Sequence, residues 1–310
     1  MRTDDPAVEI GFGIDGLTAP STRQPFHSVP RAAVAEAVPV ATGIAGQACT
    51  GVGAVAFDAA RNGLVVCGTG NVWSDVGGCP AGTLSGDSGC VPCGAQAVLD
   101  EGPLYFWTLD DSGSTAVDAT GRKDATYVGS IARSSSTPVF GSQGVTFSAG
   151  TTRIRATSFN PPVGDNTVMG WVQTTVDEAG LVSYAISGQA NEWLPLYRPA
   201  QLSYLLRGAQ EDTAVFFGDG NWHHVATSRV ESTGVVTIYI DGQQAGTLTI
   251  GPGQSPAGGG TLVLGQEQDS VDGGFDANQA LVGGLDDVAI FTSALDGPTI
   301  ERIYRAQQCE

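Results

Sequence analysis

The chain has 310 residues, a net charge of −18 and 44 glycines. A chain this acidic is repelled by the polyanionic backbone of nucleic acid, which excludes nucleic acid as a partner. The sequence contains no apolar run of about 18 residues, so it predicts no membrane span. The length allows one large or two modest domains, and the glycine content favours an all-β chain rich in turns.

Residues 1–45 are predicted to form an N-terminal strand followed by a linker or an assembly segment. The stretch PAVEIGFGIDGLTAP alternates apolar and small residues, as an edge strand does. An Ala/Val-rich stretch follows, and Pro39 would end any short helix in it. A linker is the favoured interpretation. The alternative is a segment that pairs with its own copies and so makes a homo-oligomer.

Residues 46–101 are predicted to be a small cysteine-rich module built on a β-hairpin. GAVAFD and GLVVC are the two strands, and Asn62-Gly63 between them is a strong hairpin signal. A unit of this size has too little core to be stable without covalent links. An even number of cysteines in such a chain indicates disulfides and an extracellular or cell-surface location. The six are Cys49, Cys67, Cys79, Cys90, Cys93 and Cys309.

One disulfide pairing among the many possible ones is favoured. It joins Cys49 to Cys67 around the hairpin, Cys79 to Cys90, and Cys93 to Cys309. The last pair brackets residues 102–310, and the two ends of a β-sandwich are often neighbours. Zinc is the alternative for the C-x-x-C spacing of Cys90 and Cys93, but a second such pair and a nearby histidine are missing.

Residues 102–310 are predicted to be an antiparallel β-sandwich, a jelly roll with one C-terminal helix. Short apolar stretches alternate with Gly, Asp, Ser and Pro turns through this region, as in VVTIYIDGQQAGTLTI. The helix is expected after Asp296, which can cap it, with Pro298 in its first turn. Ile300, Ile303 and Tyr304 would form its apolar face.

An acidic loop between the last two predicted strands carries the strongest functional signal. It reads LGQEQDSVDGGFDANQALVG and contains no Lys, Arg or His. Calcium takes six to eight oxygens from carboxylates, amides and main-chain carbonyls, which such a glycine-hinged loop can supply. A solvated acidic loop is the alternative interpretation.

The order of residues in this loop closely resembles the calcium loop of the pentraxins, the family of C-reactive protein and serum amyloid P component. The resemblance implies one or two Ca²⁺ ions. It places calcium ligands at Glu267, Gln268, Asp269, Asp276 and Gln279. The segment LVSYAISGQANEWLPLY resembles a second part of that site and adds Asn191. The family has an aspartate at the position of Ala190, so the first calcium position is expected to be weak.

Other stretches extend the resemblance to the laminin-G-like, concanavalin A-like lectin fold. LYFWTLDDSGSTAVDATGRKDATYVG resembles its opening strand, and NWHHVATSRVESTGVVTIYIDGQQAG resembles one of its hairpins. In that superfamily His223 and His224 are framework residues. A disulfide that joins two central strands in pentraxins is replaced by Met169 and Ala226, which indicates a distant, bacterial-type relative.

The resemblance also implies a ligand pocket beside the calcium. Counting along the family pattern puts Leu196 at an aromatic position and Glu211 near a glutamate position. Trp193 and Tyr197 lie close by in sequence and could stack on a sugar or a cation. In pentraxins the calcium itself holds the anionic or sugar group of the ligand, so the expected partner is a glycan or a phosphorylated ligand.

These observations predict a secreted or cell-surface, calcium-dependent, lectin-like binding module that is not an enzyme. The alternative is a structural fibre or adhesin subunit in which calcium only stabilises the loop. A glycoside hydrolase is disfavoured, because the E-x-D-x-x-E carboxylates of the common glucanases with this fold are missing. Within the loop, the pattern predicts that Glu267 and Asp269 are essential for calcium and that Asp272 matters little.

Overall fold

A computed structural model describes residues 40–41, 47–50, 55–58, 63–67, 73–75, 83–86, 89–133, 137–148, 150 and 152–309. The chain divides into two compact units, Met1–Trp73 and Ser74–Glu310. The division falls inside the predicted cysteine-rich module, and the three-part division of the sequence stays a prediction. Residues 1–39, to which the N-terminal strand and most of the linker were assigned, lie outside the described residues.

The first unit contains the predicted hairpin. Strand β1 (Val40–Ala41) runs parallel to β2 (Val55–Asp58), and β2 pairs antiparallel with β3 (Gly63–Cys67). A disulfide joins Cys49 to Cys67, as expected from the way the two cysteines flank the hairpin. It closes a chain segment whose own core is small, and such links stabilise mainly by restricting the unfolded chain.

The second unit is the predicted β-sandwich, with two large antiparallel sheets. Its strands begin after β4 (Trp73–Asp75), and a small hairpin of β5 (Thr83–Gly86) and β6 (Gly89–Pro92) precedes helix α1 (Ala95–Leu99). The remaining strands are β7 (Tyr105–Trp107), β8 (Thr115–Ala116), β9 (Ala125–Val128), β10 (Ala132–Arg133), β11 (Val145–Ser148), β12 (Arg153–Phe159), β13 (Asn166–Thr174), β14 (Gly180–Ile186), β15 (Gln189–Tyr197), β16 (Ser203–Leu206), β17 (Ala209–Asp212), β18 (Trp222–Val230), β19 (Val235–Ile240), β20 (Gln243–Thr249), β21 (Gly260–Leu264) and β22 (Val282–Phe291).

One sheet has the order β10-β11-β22-β13-β18-β19-β20, with β7 paired to β22. The other has the order β17-β16-β15-β14-β21-β12-β9-β8. The core lies between them, because alternate residues of each strand point inward. Trp107, Phe159, Tyr184, Trp193 and Tyr204 are its largest aromatic members, all fully buried. We name the two faces of the second sheet by this core: the inner face points toward it, and the outer face points away.

Helix α2 (Gly297–Gln308) closes the chain as predicted. The Asp296 side chain accepts a hydrogen bond from the Thr299 N–H, and Pro298 lies in the first turn. Ile300 and Ile303 are buried against the first sheet. The short helix α1 was not predicted, because five residues are too few for a periodic apolar pattern to reveal.

The two histidines are framework residues, as the resemblance implied. His224 is fully buried against Trp171 and Tyr304, and burial lowers its pKa to about 4. His223 is held between Asp219 and Asp241. The Cys93–Cys309 disulfide is also present, within the second unit. The proposed partner of Cys90, Cys79, lies outside the described residues.

Met169 and Ala226 lie directly opposite each other on β13 and β18, buried with Ile300 and Ile303 beneath helix α2. An apolar pair therefore stands where a cross-strand disulfide would fit.

We expect the double variant Met169→Cys/Ala226→Cys to oxidise to a disulfide. It should raise the free energy of unfolding by about 2 kcal/mol, the loop-closure gain less the lost methionine packing. Peptide mapping and chemical unfolding with and without reductant measure both effects. Failure of the two thiols to pair would contradict this register.

Candidate metal centre

The acidic loop leaves β21 at Gly265 and folds back over the outer face of the second sheet. Gln268 anchors it: its side-chain amide donates to the carbonyls of Ser183 and Thr261, at 2.9 and 3.0 Å, and accepts from the N–H of Asp272 at 2.9 Å. The Gln268 side chain is thus fully used and fully buried. Of the oxygens predicted to bind calcium at this residue, only the main-chain carbonyl remains.

Two glycines allow the loop to approach its neighbours closely. A Cβ on Gly180 would lie 2.5 Å from the main-chain nitrogen of Glu267, so a larger residue in β14 would displace the loop. Gly274 has a φ of +70°, and a Cβ there would lie 2.7 Å from the Cβ of Asp269. Glycine accepts this left-handed conformation readily, and it turns the loop tip back onto Asp269.

Glu267 is the most perturbed carboxylate in the loop. Its side chain is 2% exposed and its Oε2 atom has no hydrogen-bond partner. Burial raises the pKa of Glu267 to about 7, and the negative charges of Asp269 and then Asp276 add to the effect. A hydrogen bond from the Gln268 backbone opposes it. A buried carboxylate with an unsatisfied oxygen and two acidic neighbours is the electrostatic condition that a bound cation relieves.

The other predicted ligands are partly committed to the loop itself. Asp276 caps a 3-10 turn (Ala277–Gln279) by accepting from the Asn278 N–H, which leaves its second oxygen. The Gln279 amide donates to the Tyr197 hydroxyl at 2.9 Å, which leaves its carbonyl oxygen. Asn191 on β15 has a buried, unpartnered Oδ1 atom. The residues just before it, Gln189 and Ala190, line a cleft together with Asp269, so the Asn191 segment lies beside the loop.

The set of oxygen donors fits a hard cation, although the donors do not yet form a closed coordination sphere. Over the described ranges, no three His, Cys, Asp or Glu side chains converge as a ready-made metal site. The available donors are the carboxylate oxygens of Glu267, Asp269 and Asp276 and the amide oxygens of Asn191 and Gln279. Two of these, on Asn191 and Glu267, are buried and unsatisfied, and buried polar atoms ordinarily have partners.

The four residues predicted to contact a ligand are placed differently from expectation. Trp193 and Leu196 are buried in the core between the sheets, and Trp193 donates to the Tyr204 hydroxyl at 2.8 Å. Tyr197 is 7% exposed and acts as a support for Gln279 rather than as a stacking surface. β15 thus turns these three side chains inward or under the loop, and none of them forms an exposed contact surface beside it.

Glu211 is exposed on β17, but it lies on the other side of the sheet from the loop. Its cross-strand partner is Tyr204, which points into the core. Opposite residues of an antiparallel pair share a face, so Glu211 points to the inner face. The loop packs on the outer face, where the Ser183 hydroxyl accepts from the Gln268 N–H at 3.3 Å. Glu211 therefore does not face the loop in this structure.

Sequence reasoning missed three residues that position the loop. Gln266, fully buried, donates to the carbonyls of Gly150 and Asp276 and accepts from the Glu267 N–H. Arg153 and Arg155, on the outer face of β12, both bind the carboxylate of Asp272, and Arg153 also covers the Phe275 ring at 4.3 Å. The alternating charges in TRIRAT signalled a polar strand face, but only the fold shows what they bind.

The two facing antiparallel sheets and the loop folded over one of them define a jelly roll of the lectin-like class. Residues 150–310 match the model of the Pentaxin family, more than half of the 310-residue chain. The chain belongs to the pentaxin family.

Curated relatives agree with this assignment. Neuronal pentraxin-2 of Homo sapiens is 35% identical over 128 residues, which is 41% of this chain and 28% of that protein. Neuronal pentraxin-1 of Rattus norvegicus is 36% identical over 129 residues, 41% of this chain and 29% of that protein. The chain thus spans less than a third of the length of these relatives.

A solved structure shares the fold. A botulinum neurotoxin type C structure covers 68% of this chain and 53% of its own, with a TM-score of 0.52 and 15% identity. A heptameric SAP-like pentraxin from Limulus polyphemus covers 50% of this chain and 78% of its own, with a TM-score of 0.43 and 24% identity. Among the described residues, no helix is long and apolar enough to cross a membrane.

Proposed function

We propose that residues 102–310 form an extracellular, calcium-dependent binding module that recognises a glycan or a phosphorylated ligand through bound Ca²⁺. The observation that carries the proposal is the pair of buried, unsatisfied oxygens on Asn191 and Glu267, beside Asp269 and Asp276. Membership of the pentaxin family supports the same conclusion. The proposed ligands are Asn191, Glu267, Asp269, Asp276, Gln279 and the Gln268 carbonyl, for one or two ions.

The module is proposed to bind rather than to catalyse. Glycosidases need two carboxylates on opposite sides of the scissile bond in an open cleft. Here Glu267 is buried, so the loop does not present two carboxylates in an open cleft. The disulfides Cys49–Cys67 and Cys93–Cys309 favour an oxidising compartment, which supports an extracellular location.

A structural role is the second candidate function. In it, calcium only stiffens the loop, and residues 1–45 join copies of the chain into a fibre or homo-oligomer. The many contacts that hold the loop to the sheet, such as those of Gln266 and Gln268, are compatible with it. This candidate predicts stabilisation by calcium without any calcium-dependent ligand.

Calorimetric titration of the chelator-stripped protein with Ca²⁺ tests the proposal, with Mg²⁺ as the control. We expect saturable binding of one or two Ca²⁺ and weaker binding of Mg²⁺, which demands a stricter geometry. Calcium at a hundredfold excess over its Kd should stabilise the fold by about 2.7 kcal/mol. No heat of binding at millimolar calcium would overturn the proposal.

A further inference from the structure

Two consecutive carboxylates, Asp286 and Asp287, are buried together in β22. A β-bulge makes this possible: Met169 on β13 lies opposite Ala289 and Trp171 lies opposite Asp286, so two residues of β22 face one residue of β13. Asp287 has a left-handed φ of +48° in this bulge. Side chains of a regular strand alternate between its faces, so consecutive residues would otherwise point to opposite sides of the sheet.

Both carboxylates lie between the first sheet and α2. Asp286 is the cross-strand partner of Trp171, whose ring stacks on Tyr304 of α2. Asp287 accepts a hydrogen bond of 2.7 Å from the side-chain amide of Gln307, in the last turn of α2. The side chains of Asp286 and Asp287 are fully buried there. Two acidic groups therefore hold the end of the helix on the sheet.

Residues 137–143 cover the same pair from another side. The hydroxyls of Thr137 and Ser142 donate to the Asp286 carboxylate at 2.6 and 3.0 Å. The N–H of Asp287 donates to it as well, at 2.9 Å. Asp286 thus accepts three hydrogen bonds, and two of them attach residues 137–143 to the sheet.

The two carboxylates are not equally well stabilised. Asp287 accepts only the bond from Gln307, and its Oδ1 atom is buried without a partner. Donors favour the charged form of a carboxyl group, so Asp286 is the better place for a charge and Asp287 the better place for a proton. Burial raises the pKa of both groups, and the charge of Asp286 raises the pKa of Asp287 further.

The elements packed around the pair provide no positive charge to balance it within the described part of the chain. β11, β13 and residues 137–143 contain no ionisable side chain. On α2, Arg302 binds Glu101 and Arg305 is exposed. His224 on β18, beneath the same helix, is neutral at pH 7, because burial lowers its pKa to about 4.

A third negative charge lies close to the pair. The Ser142 hydroxyl that donates to Asp286 is also 2.9 Å from a carboxylate oxygen of Asp110. Like charges in a buried site oppose the ionisation of each other, and such groups titrate as one unit. Asp286 and Asp287 therefore cannot both be ionised without weakening the contacts that bury them.

We propose that Asp286 and Asp287 share one proton and form a pH-sensitive latch, which holds residues 137–143 and the last turn of α2 on the first sheet and weakens as that proton is lost. The latch goes beyond the proposed function. It lies on the first sheet, whereas the acidic loop packs on the second, so neither inference depends on the other.

The direction of the pH effect follows from the raised pKa of each group. The ordinary value for an aspartate is 3.8, so above pH 3.8 the closed latch keeps a proton that the open latch has lost. The latch is therefore strongest below pH 3.8 and weakens as the pH rises through the folded-state values. For one proton, the opening equilibrium should increase about tenfold per pH unit in this window.

Hydrogen exchange of the full chain in chelator, from pH 5 to 8, tests the latch. The Phe140 N–H reports its opening, because it donates to the main-chain carbonyl of Gln307 at 2.7 Å. After correction for the intrinsic rate, protection of this amide should fall by about tenfold per pH unit. Asp287→Asn carries no charge at this position and should flatten the profile. Exposed Asp177→Asn is the matched control and should behave as the wild type does.

Protection of Phe140 that is independent of pH in the wild type would overturn the latch, even if Asp287→Asn failed to fold. A falling profile that Asp287→Asn leaves unchanged would also overturn it. The exchange is repeated in Glu267→Gln with and without millimolar calcium. Protection that calcium restores at pH 8 in this variant would mean that a cation, not a proton, neutralises the pair, and the proposal would fail.

Discussion

Glu267→Gln is expected to abolish most calcium binding and, at the same time, to stabilise the metal-free protein at neutral pH. The glutamine keeps the shape of the buried side chain but carries no charge that must be desolvated beside Asp269 and Asp276. A calcium ion needs that charge, since affinity depends on the number of ligand carboxylates. One substitution should therefore have opposite effects on metal binding and on metal-free stability.

The pKa of Glu267 gives this expectation a pH window. The pKa is about 7 in the folded protein, raised by burial from its ordinary value of 4.5. Between these values the folded state keeps a proton that the unfolded state has lost. The stability that Glu267 contributes is therefore complete below pH 4.5 and is lost as the pH rises through 7. The loss amounts to about 3 kcal/mol.

Chemical unfolding in the presence of a chelator, from pH 4 to 8, measures the difference in metal-free stability between the wild type and Glu267→Gln. The matched control is Glu211→Gln, the same change at an exposed carboxylate on the inner face. It should leave both calcium binding and the pH profile unaltered. Parallel pH profiles for wild type and Glu267→Gln would show that the carboxylate is not buried as described.

Asp272→Ala is expected to destabilise the loop and weaken calcium binding by about tenfold. This reverses the prediction made from the loop pattern, in which Asp272 mattered little. Arg153 and Arg155 both bind the Asp272 carboxylate. The side chains of Arg153, Arg155 and Asp272 are 11%, 33% and 23% exposed, respectively. Loss of the carboxylate removes one ion pair from each of these two guanidinium groups, at a cost of about 2 kcal/mol.

A second variant distinguishes the loss of the Asp272 carboxylate from a change in backbone strain at that residue. Asp272 has a φ of +52°, so Asp272→Gly relieves any strain while it removes the same charge. Glycine and alanine variants should weaken calcium binding alike. Exposed Asp177→Ala, in the loop between β13 and β14, should have no effect. Wild-type calcium affinity in Asp272→Gly would mean that the arginine pairs do not organise the site.

The features that the sequence predicted correctly are those that depend on residues close together in the chain. Alternating apolar residues predicted most strands, and Asp296 and Pro298 marked the start of α2. The contiguous motif from Gln266 to Gln279 identified the loop, because all of its candidate side chains lie within a few turns of chain. The Cys49–Cys67 pair follows the same rule, since it encloses one hairpin.

The sequence could not predict which side chains of β15 point to the inner face. The pairing of β14 with β15 shifts register three times, between Gly180 and Ile186. Because side chains alternate with a period of two, each shift changes which residues point inward. Counting along the pattern therefore placed Leu196 and Glu211 at the ligand, whereas both turn to the inner face.

By itself, the sequence determined the fold class and the location of the acidic loop, because both depend on local periodicity and on adjacent residues. The tertiary structure decided how that loop is held and which oxygens it leaves free. Arg153 and Asp272 are 119 residues apart in the chain, and Tyr197 and Gln279 are 82 apart. Such pairs meet only after β12, β15 and β21 have assembled into one sheet, and no local pattern in the chain encodes that meeting.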